Sequence, residues 1–132
     1  MKGYKANIEK QTLENENFRQ VRYTSKNFQL VLMALKPKEE IGLETHPDND
    51  QFFRFEQGHG KVFIDQRTTE VSDGDAVIVP AGAKHNIVNI SETEYLKFYT
   101  IYGPPHHKDK TVHKLKKDAL TSEEEFDGIT SE

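Results

Sequence analysis

The stretch GDAVIVPAGAKHNIVN, residues 74–89, decides how this chain folds. Asp73-Gly74 reads as a turn, Ala76-Val77-Ile78-Val79 as a buried strand, and Pro80-Ala81-Gly82 as a second turn. That second turn delivers His85 into the strand that follows. A histidine beside a turn is ordinarily a surface residue. Here apolar neighbours and two turn signals fix where His85 enters its strand, which points its ring inward.

Working outward, the same texture recurs on both sides. FRQVRY (18–23), FQLVLMAL (28–35), QFFRF (51–55), KVFID (61–65), HNIVNI (85–90) and YLKFYTIY (95–102) are rich in Val, Ile, Phe and Tyr. Several alternate with polar residues, and short Gly, Pro, Asn and Asp turns separate them. Many short strands with no long helical period between them predict an all-β sandwich or barrel. Residues 1–17 read as a polar, irregular N-terminal segment, 18–105 as the β domain, and 106–132 as a C-terminal tail. In that tail Thr121, followed by Glu124, is placed to cap one short helical turn, with a frayed acidic end as the alternative. With 132 residues and no second hydrophobic cluster, one domain is expected.

Composition narrows the partners. The net charge of -4 arises from 22 acidic and 18 basic residues without large blocks, so neither nucleic acid nor an anionic membrane is expected. A small-molecule ligand is the better expectation. Cysteine is absent, which removes disulfides and thiolate metal sites and leaves only imidazole and oxygen donors. No stretch has the apolar core of an export signal or the ~20 apolar residues of a membrane span, so a cytoplasmic location is expected.

The second informative stretch is GLETHPDNDQFF, residues 42–53. In a strand Glu44 and His46 share a face because side chains repeat every second residue. Pro47, Asp48, Asn49 and Asp50 then suit a reversal that starts Gln51 on its return near the first pair. Read alone, these remain candidates beside the plainer possibility of a polar loop edge.

Together the two stretches resemble the signature motifs of the cupin superfamily. Gly74, Pro80, Gly82, His85 and Asn89 meet every position of the second motif: Gly, five residues, Pro, one, Gly, two, His, three, Asn. The first motif fits in part. His46 stands at its second His and Gly58 at its closing Gly, whereas Glu44 replaces the usual first His and Gln51 the usual acid. The run IGLETHPDNDQFFRFEQGHGKV, with the GPPHH and TVHK elements, looks like a group of small single-domain cupins often labelled mannose-6-phosphate-isomerase-like. The label does not carry an activity with it.

This resemblance implies a double-stranded β-helix, or jelly roll, that is often a homodimer. It also implies one divalent metal ion, with Glu44, His46, Gln51 and His85 as candidate ligands. Zinc, manganese, nickel and iron all suit such a set. Phe53, Tyr99 and Tyr102 are candidates for lining a ligand cavity, with core packing as the alternative. His106, His107 and His113 read as exposed, with a reach over the barrel mouth as the alternative, and His59 reads as an exposed turn residue. No catalytic base is identified. The expected function is a metal-dependent enzyme on a small polar substrate such as a sugar or sugar phosphate, isomerase-like or an oxygenase. A non-catalytic binding or sensing module is the alternative.

Overall fold

The computed structural model describes residues 1–132. In chain order the elements are α1 (Ile8–Glu14), β1 (Arg19–Thr24), β2 (Gln29–Leu35), β3 (Glu44–Thr45), β4 (Asp50–Gln57), β5 (Gly60–Ile64), β6 (Arg67–Val71), β7 (Ala76–Val79), β8 (Lys84–Asn89), β9 (Leu96–Gly103), β10 (Val112–His113) and α2 (Lys116–Ser122). The strands form two antiparallel sheets, a larger one in the order β10-β1-β2-β9-β4-β7 and a smaller one in the order β3-β8-β5-β6. This is the jelly-roll arrangement that the cupin resemblance implies. No helix is long and apolar enough to cross a membrane.

Period-two alternation decides which side chains enter the space between the sheets. Along β4, Gln51, Phe53 and Phe55 are buried, and along β9 so are Leu96, Phe98, Thr100 and Tyr102. The rings of Phe53, Phe55 and Phe98 pack with centroids 5.2–6.4 Å apart. Each such side chain contributes about 2–3 kcal/mol through the apolar surface it removes from water. The aromatic centre of the core therefore lies below one end of the sandwich, and Gln51 and Tyr102, paired across β4 and β9, mark that end.

Several elements depart from the sequence expectation. Residues 1–17 are not irregular throughout, because Asn7 caps α1 by accepting from Lys10 N at 3.0 Å. The helix lies against the outer face of the larger sheet, and Lys97 Nζ donates to Leu13 O near its C-terminal end at 2.6 Å. Strand β7 is not buried along its length. It is the edge of the larger sheet, so Ile78 is 66% exposed while Val79 turns inward. Strand β6, RTTEV, lacks the apolar alternation used to find the others. It forms because it pairs with β5 across the Asp65-Gln66 turn, and its polar side chains blunt the edge of the smaller sheet.

The last segment is docked as well. β10 adds to the larger sheet through Arg19↔His113. Leu115 is the N-cap of α2 and its N–H donates to Asp118 Oδ2, so Thr121 sits inside the helix rather than capping it. Beyond α2 the chain returns across residues 106–108, with Phe126 N donating to His106 O and Lys108 N to Glu124 O.

Candidate metal centre

The turn after β3 places the first pair of polar groups. Glu44 and His46 project to the same side, as the two-residue repeat requires, and His46 Nε2 lies 3.2 Å from Glu44 Oε2. The chain then reverses through Pro47–Asn49, held by Gly82 N donating to His46 O at 2.9 Å and by Asn49 Nδ2 donating to Pro104 O at 2.5 Å. His85 arrives from β8, directly opposite Glu44 in the register of β3 and β8. One ligand atom from each of Glu44, His46 and His85 lies within 4.8 Å of the other two.

Two hydrogen bonds fix which donor atoms stay free between the sheets. His85 Nδ1–H donates to the carbonyl of Ala83 at 3.0 Å, which fixes the tautomer and leaves the lone pair on Nε2. Gln51 Nε2 donates to Thr100 Oγ1 at 3.0 Å, which leaves the amide oxygen free. Both His85 Nε2 and Gln51 Oε1 are buried and have no hydrogen-bond partner. Buried polar atoms without partners are rare because each costs about 1–3 kcal/mol. Two imidazoles, a carboxylate and an amide oxygen form a donor set that suits a divalent ion of zinc, manganese, nickel or iron type.

The electrostatics favour an ionised Glu44. Burial pushes its carboxyl up, but the hydrogen bond from His46 and the nearby Arg19 guanidinium and imidazoles together outweigh that and hold it below its usual range. Its side chain is still 30% exposed, so the carboxylate sits at the rim. His46 is 8% exposed and His85 2%, deeper in.

The other candidates separate by strand parity. Phe53 and Tyr102 face the interior, with Phe53 6.4 Å from the His85 ring and Tyr102 5.8 Å from that of His46. Tyr99 lies on the outer face against Phe52, three residues from Tyr102 and so on the opposite side of the strand. It does not line the interior.

The reading of the late histidines as exposed is overturned for His107 and His113, which are 1% and 5% exposed. Gln29, fully buried on β2, pins this segment inward: its Oε1 accepts from the backbone N–H groups of His106 and His107, and its Nε2 donates to His107 O. The His106 ring lies 4.3 Å from that of His46, tilted at 58°, and His107 Nε2 lies 3.2 Å from the Tyr102 hydroxyl. The signal was available in FQLVL, where Gln29 shares the parity of the core residues Val31 and Met33.

Burial lowers the pKa of both histidines, His106 to about 4 and His107 well below its usual value of 6.5. The unfolded chain therefore takes up protons near pH 6.5 that the folded chain refuses. Stability from these groups is full above about pH 6.5 and is lost as the pH falls towards 4. Denaturant midpoints measured from pH 7.5 to 4.5 should fall, and less steeply in His107→Gln. A wild-type profile that stays flat would contradict this.

The model of the cupin domain family matches residues 31–102, more than half of the chain. The chain belongs to the cupin family. Relatives of this cupin include the uncharacterized protein YrkC of Bacillus subtilis, 43% identical over 129 residues, covering 93% of this chain and 69% of that one. An uncharacterized protein of Acanthamoeba polyphaga mimivirus is 45% identical over 107 residues, covering 79% and 67%. The crystal structure of a Bacillus halodurans protein superposes with a TM-score of 0.88 at 39% identity, covering 90% of this cupin and 94% of that chain.

Proposed function

We propose that this cupin binds one divalent transition-metal ion through Glu44, His46, His85 and Gln51 and acts as a metal-dependent enzyme on a small polar substrate. The observation that carries this reading is the pair of unpartnered buried donors, His85 Nε2 and Gln51 Oε1, beside Glu44 and His46. A bound ion would supply Lewis-acid polarisation of a substrate oxygen. The chain supplies the rest. Tyr102, whose hydroxyl burial keeps protonated, and His106, neutral at pH 7, stand beside His46 where they can hydrogen-bond a ligand and fix its orientation. Phe53 closes the inner wall against water. The isomerase-like and oxygenase readings both fit this frame.

The departures from the usual ligand pattern give a direct test. Glu44 is the only anionic donor in the set, so Glu44→Gln should weaken metal affinity by more than tenfold, about 1.4 kcal/mol. Gln51→Ala should cost clearly less, since water replaces a neutral amide oxygen easily. Competitive titration of both variants against a chelator at fixed pH checks the order. Equal losses, or a larger one at Gln51, would remove Glu44 from the ligand set.

A further inference from the structure

A second group of metal-ligating side chains meets outside the Glu44, His46 and His85 centre. His106 and His107 follow β9, and Glu123 is the first residue beyond α2. One ligand atom from each lies within 4.8 Å of the other two. The backbone brings them together from both sides. Gln29 Oε1 holds the histidines by accepting from both of their N–H groups. The chain beyond α2 then runs antiparallel beside them: Lys108 N donates to Glu124 O, His107 bridges to Glu125, and Phe126 N donates to His106 O. Sixteen residues separate Glu123 from His107 in the chain, and this pairing closes the gap.

The atoms that face one another suit a cation better than they suit each other. His107 Nδ1 lies 3.7 Å from Glu123 Oε1, too far for a hydrogen bond. On the other side of the ring, Nε2 lies 3.2 Å from the Tyr102 hydroxyl. With Nε2–H donating to that oxygen, Nδ1 turns a lone pair towards the carboxylate, and a metal-bound imidazole is ordinarily steadied in this way. Two donors on one zinc-type ion, each at about 2.0–2.1 Å, stand about 3.3 Å apart. The 3.7 Å gap closes to that spacing with a small turn of Glu123, whose side chain is 45% exposed. His106 is the third donor, since its only hydrogen bonds within the chain are made by its backbone. The segment also lacks other anchors. Helix α2 has seven residues and buries only Ala119, while Leu120 is 75% exposed.

We propose that His106, His107 and Glu123 form a second divalent-cation site, of zinc type, that clips the segment beyond α2 to the loop after β9. Two imidazoles and a carboxylate form a donor set of that kind, with a coordination position left for water. Three protein donors, one of them at the surface, hold the ion more weakly than the four proposed for the first centre. It exchanges freely and leaves on gel filtration. The His106 ring lies 4.3 Å from that of His46, so the rival assignment makes His106 a further ligand of the first ion, with Glu123 uninvolved.

Calorimetric titration of chelator-stripped protein with Zn²⁺ separates the two. Wild type should show a tight phase and a second phase at least tenfold weaker, each of one ion per chain. Glu123→Gln, a change at the surface that leaves the fold intact, should lose at least tenfold in the weaker phase and keep the tight one. His107→Gln should do the same, and His85→Ala should lose the tight phase and keep the weaker. Zinc added to His85→Ala should also slow amide exchange of Lys108 and Phe126 at least tenfold, and should not do so once Glu123→Gln is added. A second phase that is absent, that Glu123→Gln leaves unchanged as for an ion on other surface groups, or that disappears with the tight phase in His85→Ala would overturn the proposal. Should wild type show only a weak phase that depends on Glu123, the clip stands and the first metal centre falls.

Discussion

His46→Ala and His85→Ala should each abolish stoichiometric metal binding, lowering affinity by about a thousandfold or more, which is about 4 kcal/mol. The two imidazoles enter from different places, His46 from the turn after β3 and His85 from β8, so neither replaces the other. The strands that carry them are held independently of the side chains. β8 pairs with β5 from Ile64↔His85 to Gly60↔Asn89, and its backbone bonds do not involve the imidazole. Removing His85 also removes a buried nitrogen without a partner, which offsets part of the cavity left behind. Both variants should therefore keep the β spectrum of wild type and lose no more than about 1–2 kcal/mol of stability. Metal analysis after gel filtration, with circular dichroism on the same samples, checks both halves. One ion per chain at wild-type affinity in either variant would show that the ligands have been misassigned.

The second large effect is expected at Asn89, which the motif places four residues after His85 but which takes no part in the metal centre. It is fully buried, and its Nδ2 donates to three carbonyls, Leu35 O at 3.1 Å, Lys36 O at 3.0 Å and Glu94 O at 2.8 Å. Its Oδ1 accepts from Ser91 N at 2.9 Å. One side chain thus ties the end of β2, the end of β8 and the approach to β9, with Lys36 O also accepting from Glu39 N at 2.9 Å. Asn89→Ala would take this donor from the carbonyls of Leu35 and Glu94 and the acceptor from Ser91 N, and should cost about 3 kcal/mol in urea unfolding. Metal affinity per folded molecule should stay unchanged. A loss below about 1 kcal/mol would mean that water or a shifted loop takes over the amide's bonds.

Asn89 also shows how far the residues alone could be read. Spacing placed Gly74, Pro80, Gly82, His85 and Asn89 in a single pattern, and strand parity turned Glu44 with His46 inward. The first came from the resemblance to the cupin motif and the second from strand geometry, and the fold agrees with both. Parity also separates Tyr99 from Tyr102, although both looked alike as aromatics on one strand. What local reasoning missed depends on distant partners. β6 has no apolar pattern and exists because β5 offers it a ladder. His107 and His113 sit in a polar, Pro-rich stretch, and only the buried Gln29 on β2 and the pairing of β10 with β1 draw them inside. The buried Arg19 stood in plain view in FRQVRY with the parity of Val21, yet a charged residue on a half-buried strand is normally assigned to the solvent side.

The candidate donors do not share a sheet. Glu44 and His85 belong to the smaller one, with His46 just beyond its first strand, while Gln51 projects from the larger. An ion held by all four is therefore a rivet between two plates, set at the end where the aromatic core stops. Release of such an ion would free the plates to part at that end while Phe53, Phe55 and Phe98 keep the rest together. Amide exchange along β3 and the start of β4 thus becomes a gauge of occupancy, fast when the rivet is out and slow when it is in.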